Sequence, residues 1–138
     1  MRILLLDTNV VSEAARPNPD TRVLRHLEET QQTAAVAATT WHELRYGLER
    51  LPNGHRRDAL AAFLNTVIRR YPVLPYDSRA AEWHAVQRAT LERSGVQTSA
   101  ADGQVAATAV TRGLTLITRN LSDFAAFEGL TARSWWTD

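Results

Sequence analysis

The chain has 138 residues, enough for one hydrophobic core and too few for two, so residues 1–138 are expected to form a single domain. Its 16 basic side chains are all arginine and face 15 acids for a net charge of +1, without the overall positive excess of many dedicated nucleic-acid binders. The absence of cysteine excludes disulfide frameworks, thiol nucleophiles and cysteine zinc sites, and the absence of lysine excludes a Walker A nucleotide loop.

Residues 2–6 read as a short strand, apolar on both faces as in the middle of a parallel sheet. Asp7 follows it directly. Residues 9–15 suit a turn or two of helix, stopped at Arg16-Pro17-Asn18-Pro19, and Asp20 is placed to cap a short helix with Val23, Leu24 and Leu27 on one side. Residues 33–38 read as a second strand. Thr39 or Thr40 is then expected to cap a helix carrying Trp41, Leu44, Leu48 and Leu51, with Glu43 at the capping-box spacing from Thr40. Pro52-Asn53-Gly54 ends it.

Leu60, Phe63, Leu64, Val67, Ile68 and Tyr71 recur at three- and four-residue steps, which predicts one amphipathic helix packed on the sheet or on a neighbouring helix. Residues 72–75 make a short strand. Asp77 or Ser78 opens a helix through Ala80, Ala81, Ala85, Val86 and Leu91, which finishes near Gly95. Thr98 or Ser99 opens the next, residues 100–111, closed by Arg112-Gly113. Strands at 114–118 and within 131–135 complete the series. Strands alternating with helices predict an α/β fold: a three-layer sandwich with a short, mainly parallel central sheet flanked by helices. No apolar run approaches the roughly 18 residues needed to cross a membrane, and "MRILLLD" has no signal-peptide pattern, so a cytoplasmic protein with no membrane partner is expected.

Carboxylates stand out next. Asp7 and Asp123 each follow an apolar run, and the ends of parallel strands are where such sheets carry ligands. Asp102 shares a helical face with Val105, Ala106 and Ala109, a costly place for a charge unless a cation or several donors meet it. First-turn amides are the other explanation for Asp102, and the capping box is the other one for Glu43. Four acids gathered in one crevice repel one another and make sense only around a cation. Hard oxygen ligands suit Mg2+ or Mn2+, which points to metal-assisted hydrolysis of a phosphodiester.

Thr8, Asn9, Thr118 and Asn120 lie beside these acids, where they could hold carboxylates in place or simply shape turns. Arg119 could approach a phosphate or pair with one of the acids. The histidines, His26, His42, His55 and His84, never stand at a metal-binding i, i+4 interval and read as surface or packing residues. Ser12 and Ser99 have no histidine partner in the pattern, which argues against serine hydrolysis.

The segments "LLLDTNVVSE" at 4–13, "TTWHELRYGL" at 39–48, "SAADGQVAATAVTRG" at 99–113 and "LITRNLSDF" at 116–124 resemble, in order and spacing, the PIN-domain ribonucleases and especially the VapC-like toxins of bacterial toxin–antitoxin pairs. "SEAARPNP" and "LPNGHRRDAL" are similar to the FitB-type branch. The resemblance covers nearly the whole chain. It implies that Asp7, Glu43, Asp102 and Asp123 are catalytic metal ligands for Mg2+ or Mn2+, with Thr8 and Asn120 at accessory positions. It also implies RNA as substrate, tRNA among the candidates, cut to leave a 5' phosphate and a 3' hydroxyl. A homodimer and a cognate antitoxin follow from the likeness, with DNA engaged only through that antitoxin. Gly103 departs from the bulkier residue common after the third acid and should loosen the helix start slightly.

Arg50, Arg56 and Arg57, with Arg69 and Arg70, flank the second helical hairpin and are candidate RNA contacts or solvated helix faces. No exposed stacking aromatic stands out in the pattern, although Trp135 and Trp136 are candidates for a dimer or antitoxin surface. Two other functions stay open: a nuclease for structured DNA or RNA processing, and a non-catalytic component of an antitoxin or operator complex.

Overall fold

The structure, a computed structural model, describes residues 2–136. Five parallel strands form one sheet: β1 (Leu4–Leu6), β2 (Ala34–Ala37), β3 (Val73–Leu74), β4 (Thr115–Ile117) and β5 (Ala132–Arg133), in the order β3-β2-β1-β4-β5. All five expected strands are present and shorter than the spans expected for them. β1 is central, with Leu6 opposite Val36 on one side and Ile117 on the other. Because the chain leaves β1 toward β2 and later returns to its other edge at β4, the carboxyl ends of β1 and β4 flank the crevice where the strand order reverses.

Helices cover both faces: α1 (Thr8–Glu13), α2 (Thr21–Glu29), α3 (Ala38–Glu49), α4 (His55–Thr66), α5 (Ser78–Arg93), α6 (Ala100–Thr111) and α7 (Leu121–Phe124). The two-residue period of a strand sorts the core into two halves. Leu6, Val36 and Ile117 pack with Val10, Val11, Leu44, Leu48 and Leu64, whereas Leu5, Ala35 and Leu116 pack with Val105, Ala106, Ala109 and Phe124. The three-layer sandwich is therefore as expected. Each fully buried leucine or isoleucine of the sheet contributes about 1.5–3 kcal/mol, which fixes β1 and β4 against both layers.

Four local expectations change. α3 starts at Ala38, because β2 runs straight into it and the extended backbone of Ala37 takes the cap position without any side-chain bond. Thr39 and Thr40 thus fall inside the first turn, and the Thr40–Glu43 capping box does not form. The single helix expected through Tyr71 ends at Thr66 and continues as a 3-10 turn, Ile68–Arg70. Pro72 explains this, since it forces the preceding Tyr71 into extended backbone, and the last turn tightens before it.

The apolar series read along α5 does not coincide with its buried side, since of that series only Ala80 is buried. Val86 is 65% exposed, while His84 and Gln87 are buried with Ala80. Both polar side chains have partners: Tyr76 Oη lies 2.9 Å from His84 Nδ1, and Gln87 Oε1 accepts from the backbone N–H of Glu128 at 3.1 Å. The fourth change concerns Gly103. A Cβ there would stand 2.0 Å from His84 Nε2, so the missing side chain is what lets α5 and α6 close around the imidazole. α7 was not foreseen in the pattern at all.

Candidate active site

Asp7 sits immediately after β1, its backbone N–H donating to Ile117 O of β4 at 2.9 Å. It is also the N-cap of α1: Oδ1 accepts from Thr8 N at 2.8 Å. Oδ2 accepts from Thr118 Oγ1 at 2.8 Å and from Asn9 Nδ2 at 3.3 Å. Thr118, directly after β4, thereby ties the two strand ends together across the reversal point. Its hydroxyl oxygen also accepts from Asn120 N at 3.0 Å, and Asn9 Oδ1 accepts from Arg119 N at 3.0 Å. The resulting lattice fixes the Asp7 carboxylate with neutral donors only.

Asp102 lies in the first turn of α6, its backbone N–H donating to the Ser99 hydroxyl at 3.0 Å, so Ser99 rather than Thr98 is the cap. Glu43 projects from α3, freed from the capping role. Asp123 stands in the first turn of α7, on the surface. Thr39 Oγ1 lies 2.7 Å from Gln104 Oε1, a bond that joins the two helices carrying Glu43 and Asp102.

Electrostatics show that the four acids share one field. Burial raises the pKa of Asp7, hydrogen bonds from Thr118, Thr8 and Asn9 oppose it, and the charge of Asp123 adds to it. Glu43 is raised first by burial, then by Asp7 and Asp102. Asp102 is raised by burial, with Ser99 opposing and Asp7 and Asp123 adding. Acids from α1, α3, α6 and α7, brought from positions as far apart as 7 and 123, therefore repel one another across one crevice. None of the four is ion-paired among the described residues.

That cluster is open. Among the described residues, no three His, Cys, Asp or Glu side chains stand close enough to hold one ion by themselves. The Thr8 hydroxyl oxygen is buried at its rim without a hydrogen-bond partner, near enough to Glu43 to favour the ionised carboxylate. A set of hard oxygen donors, unneutralised and with an orphaned hydroxyl beside it, fits a hydrated Mg2+ or Mn2+, which keeps several waters and needs no all-protein cage.

The other predicted positions divide. Asn9 and Thr118 touch Asp7 through their side chains, whereas Asn120 takes part through its backbone N–H. Arg119 is paired with none of the acids; its guanidinium lies 5.2 Å from the ring centroid of Trp136. Arg57 is occupied, donating to the carbonyls of Leu48, Glu49 and Leu51 and pairing with Glu49 at 3.2 Å, so it closes the end of α3. Arg50 and Arg56 are exposed. Trp135 is buried in the core, stacked on His26 at 4.9 Å, and offers no surface to a partner. Pattern reading missed Gln104, whose one signal was a polar residue on a helix otherwise built to be buried, while His84 is the packing residue it was read as.

The PIN domain model matches residues 4–130 of the chain. A VapC ribonuclease, Y4jK, from Sinorhizobium fredii is 37% identical over 90% of this chain and 91% of its own length. Toxin FitB from Neisseria gonorrhoeae is 35% identical over 96% of this chain and 99% of its own. The crystal structure of FitAcB from Neisseria gonorrhoeae superposes with a TM-score of 0.90 at 34% identity, over 99% of this chain and all of that one. The chain belongs to the PIN domain family.

Proposed function

We propose that the protein is an endoribonuclease that hydrolyses RNA phosphodiester bonds with Mg2+ or Mn2+ and serves as the toxin of a toxin–antitoxin pair. The single observation that carries the reading is the convergence of Asp7, Glu43, Asp102 and Asp123, none of them ion-paired among the described residues, at the strand-order reversal. A protein that only binds partners gains nothing from such repulsion. The ribonuclease and toxin relatives support the substrate class and the cellular role.

In this reading Asp7, Asp102, Glu43 and Asp123 hold the cation. When bound, it supplies the acidity that activates an attacking water and the positive charge that meets the phosphate and the leaving oxygen. The protein's own part is placement. Asp7 is presented in a fixed rotamer by three donors, Asp102 is held by the capped start of α6, and Glu43 is held across from it by the Thr39–Gln104 bond. The Thr8 hydroxyl lies beside Glu43 and favours its ionised form. No serine, cysteine or histidine has to act as a nucleophile; by likeness to the family, water would attack phosphorus and the 3' oxygen would leave, giving a 5' phosphate and a 3' hydroxyl.

A toxin needs a neutralising partner in the cell that makes it, so the proposal includes a cognate antitoxin, a homodimer, and a cytoplasmic site of action for the single domain of residues 1–138. No helix among the described residues is long and apolar enough to cross a membrane. The test is cleavage profiling of total RNA after expression of wild type and Asp7→Asn, with tRNA, ribosomal RNA, single-stranded RNA and flapped DNA compared in Mg2+ and Mn2+. RNA cut by the wild type and spared by the variant supports the proposal. Preferential cutting of flapped DNA would transfer the site to the structured-DNA alternative.

A further inference from the structure

α3 carries two kinds of surface. Leu44 and Leu48 face the core, and Glu43 faces the acidic crevice, but His42, Tyr46 and Arg50 form an exposed row at i, i+4 and i+8. The rings of His42 and Tyr46 are parallel within 8°, with centroids 6.2 Å apart. The Arg50 guanidinium lies over the Tyr46 ring, 5.1 Å from its centroid. Tyr46 is 56% exposed, and no other element covers it.

The row starts next to the acids, since His42 directly precedes Glu43 on α3. Eight residues of helix span about 12 Å, close to the length of three stacked nucleotides at about 3.4 Å each. Aromatic faces and an arginine alternating along such a line match a single nucleic-acid strand: bases stack on the rings and the cation meets a phosphate. They match a protein partner poorly. Tyr46 is the sole exposed large apolar side chain on α3 among the described residues, too little for an interface of about 800 Å2 per partner.

We infer that His42, Tyr46 and Arg50 form a stacking track for unpaired bases of the RNA strand adjoining the bond that is cut. The track rests on the ribonuclease reading and narrows it, because a base inside a duplex has no free face to offer: the substrate is single-stranded where it leaves the acids. Tyr46 supplies the central platform, His42 the end nearest Glu43, and Arg50 the phosphate contact at the far end.

The experiment measures binding, in EDTA so that the RNA stays intact, by fluorescence anisotropy of a short single-stranded RNA and its duplex. Wild type should favour the single strand. Tyr46→Ala should weaken single-strand binding by about five- to a hundredfold, the range given by loss of one stacked base, while Tyr46→Phe holds within about twofold. An abasic site in the RNA should cost the wild type a similar factor and cost Tyr46→Ala nothing further. Since Tyr46 buries little, its variants should melt with the wild type, which the same samples check by circular dichroism.

Equal binding by wild type and Tyr46→Ala overturns the track, as does an abasic penalty that persists in the variant. A variant that changes only self-association in sedimentation, with RNA affinity intact, would reassign the row to a protein surface and overturn it too. Failure of the ribonuclease reading has a separate signature, a wild type that cleaves no RNA in Mg2+ or Mn2+.

Discussion

α1 begins and ends in a buried carboxylate, and the two are treated in opposite ways. Glu13, 4% exposed, pairs with Arg16 at 3.2 Å and accepts from the backbone N–H of Asp20 at 2.8 Å. Asp7, 9% exposed, meets only neutral donors and is pressed further toward protonation by Asp123. A buried charge is tolerated when its own chain neutralises it. Glu13 is such a case and locks the turn between α1 and α2. Asp7 leaves its neutralisation to something outside the chain, and three more unpaired acids around it do the same.

This contrast is broken most forcefully by exchanging each carboxylate for its amide. Asp7→Asn should lower RNA cleavage by about a hundredfold or more, since even the outer partners of metal ligands are worth 10–100-fold. Glu13→Gln should leave cleavage per folded molecule unchanged. Thr118→Val removes the bond that aims Asp7 Oδ2 and should lower cleavage by about tenfold with little loss of fold, read from initial rates at saturating metal. If Thr118→Val cleaves as fast as wild type, the neutral lattice around Asp7 is not positioning it.

Stability should run the other way. Glu13→Gln loses charge-assisted bonds inside the structure and should cost about 1–3 kcal/mol in urea unfolding, whereas metal-free Asp7→Asn should lose nothing. A pH series sharpens this further. Asp7, Glu43 and Asp102 have pKa values raised by burial, so what they contribute to stability is whole below their ordinary values of 3.8–4.5 and is lost as pH rises through the folded values. The metal-free wild type should therefore lose ground to Asp7→Asn as pH rises above about 4. The exposed caps Asp20 and Asp77, lowered mainly by Arg22 and by the Ala80 amide, act oppositely: their contribution is present above 3.8 and fades as pH falls. They are common to both proteins and cancel in the comparison.

Much of the fold was legible because it rests on short-range signals. Apolar runs marked the strands other than β5, and Asp20, Asp77 and Ser99 marked three helix starts through their cap chemistry. What failed depended on contacts distant in sequence. Thr39 and Thr40 looked like caps until β2 ran directly into α3, and the apolar series of α5 did not mark its buried side, where His84 and Gln87 find partners from Tyr76 and Glu128. Gly103 shows the same limit: locally it weakens a helix, but in the fold it makes room for an imidazole.

Of the site, Asp7 was visible as an acid closing a buried strand and Asp102 as a charge on an apolar face. Glu43 could not be separated from a capping role until the cap was seen to lie at Ala37. Asn9 and Thr118 were visible as polar neighbours of the acids, whereas the bonds of Thr118 to Asp7 and of the Arg119 amide to Asn9 span more than a hundred residues of sequence and have no local signature. Nor had the row of His42, Tyr46 and Arg50, because exposure is set by what does not cover a helix.

The central claim is that the acids around Asp7 wait for a divalent cation while Glu13 does not. Calorimetric titration of Mn2+ into the metal-free protein near neutral pH tests it most directly. The account predicts saturable binding by wild type and by Glu13→Gln, and its loss in Asp7→Asn. Absence of binding by wild type, or undiminished binding by Asp7→Asn, would contradict it.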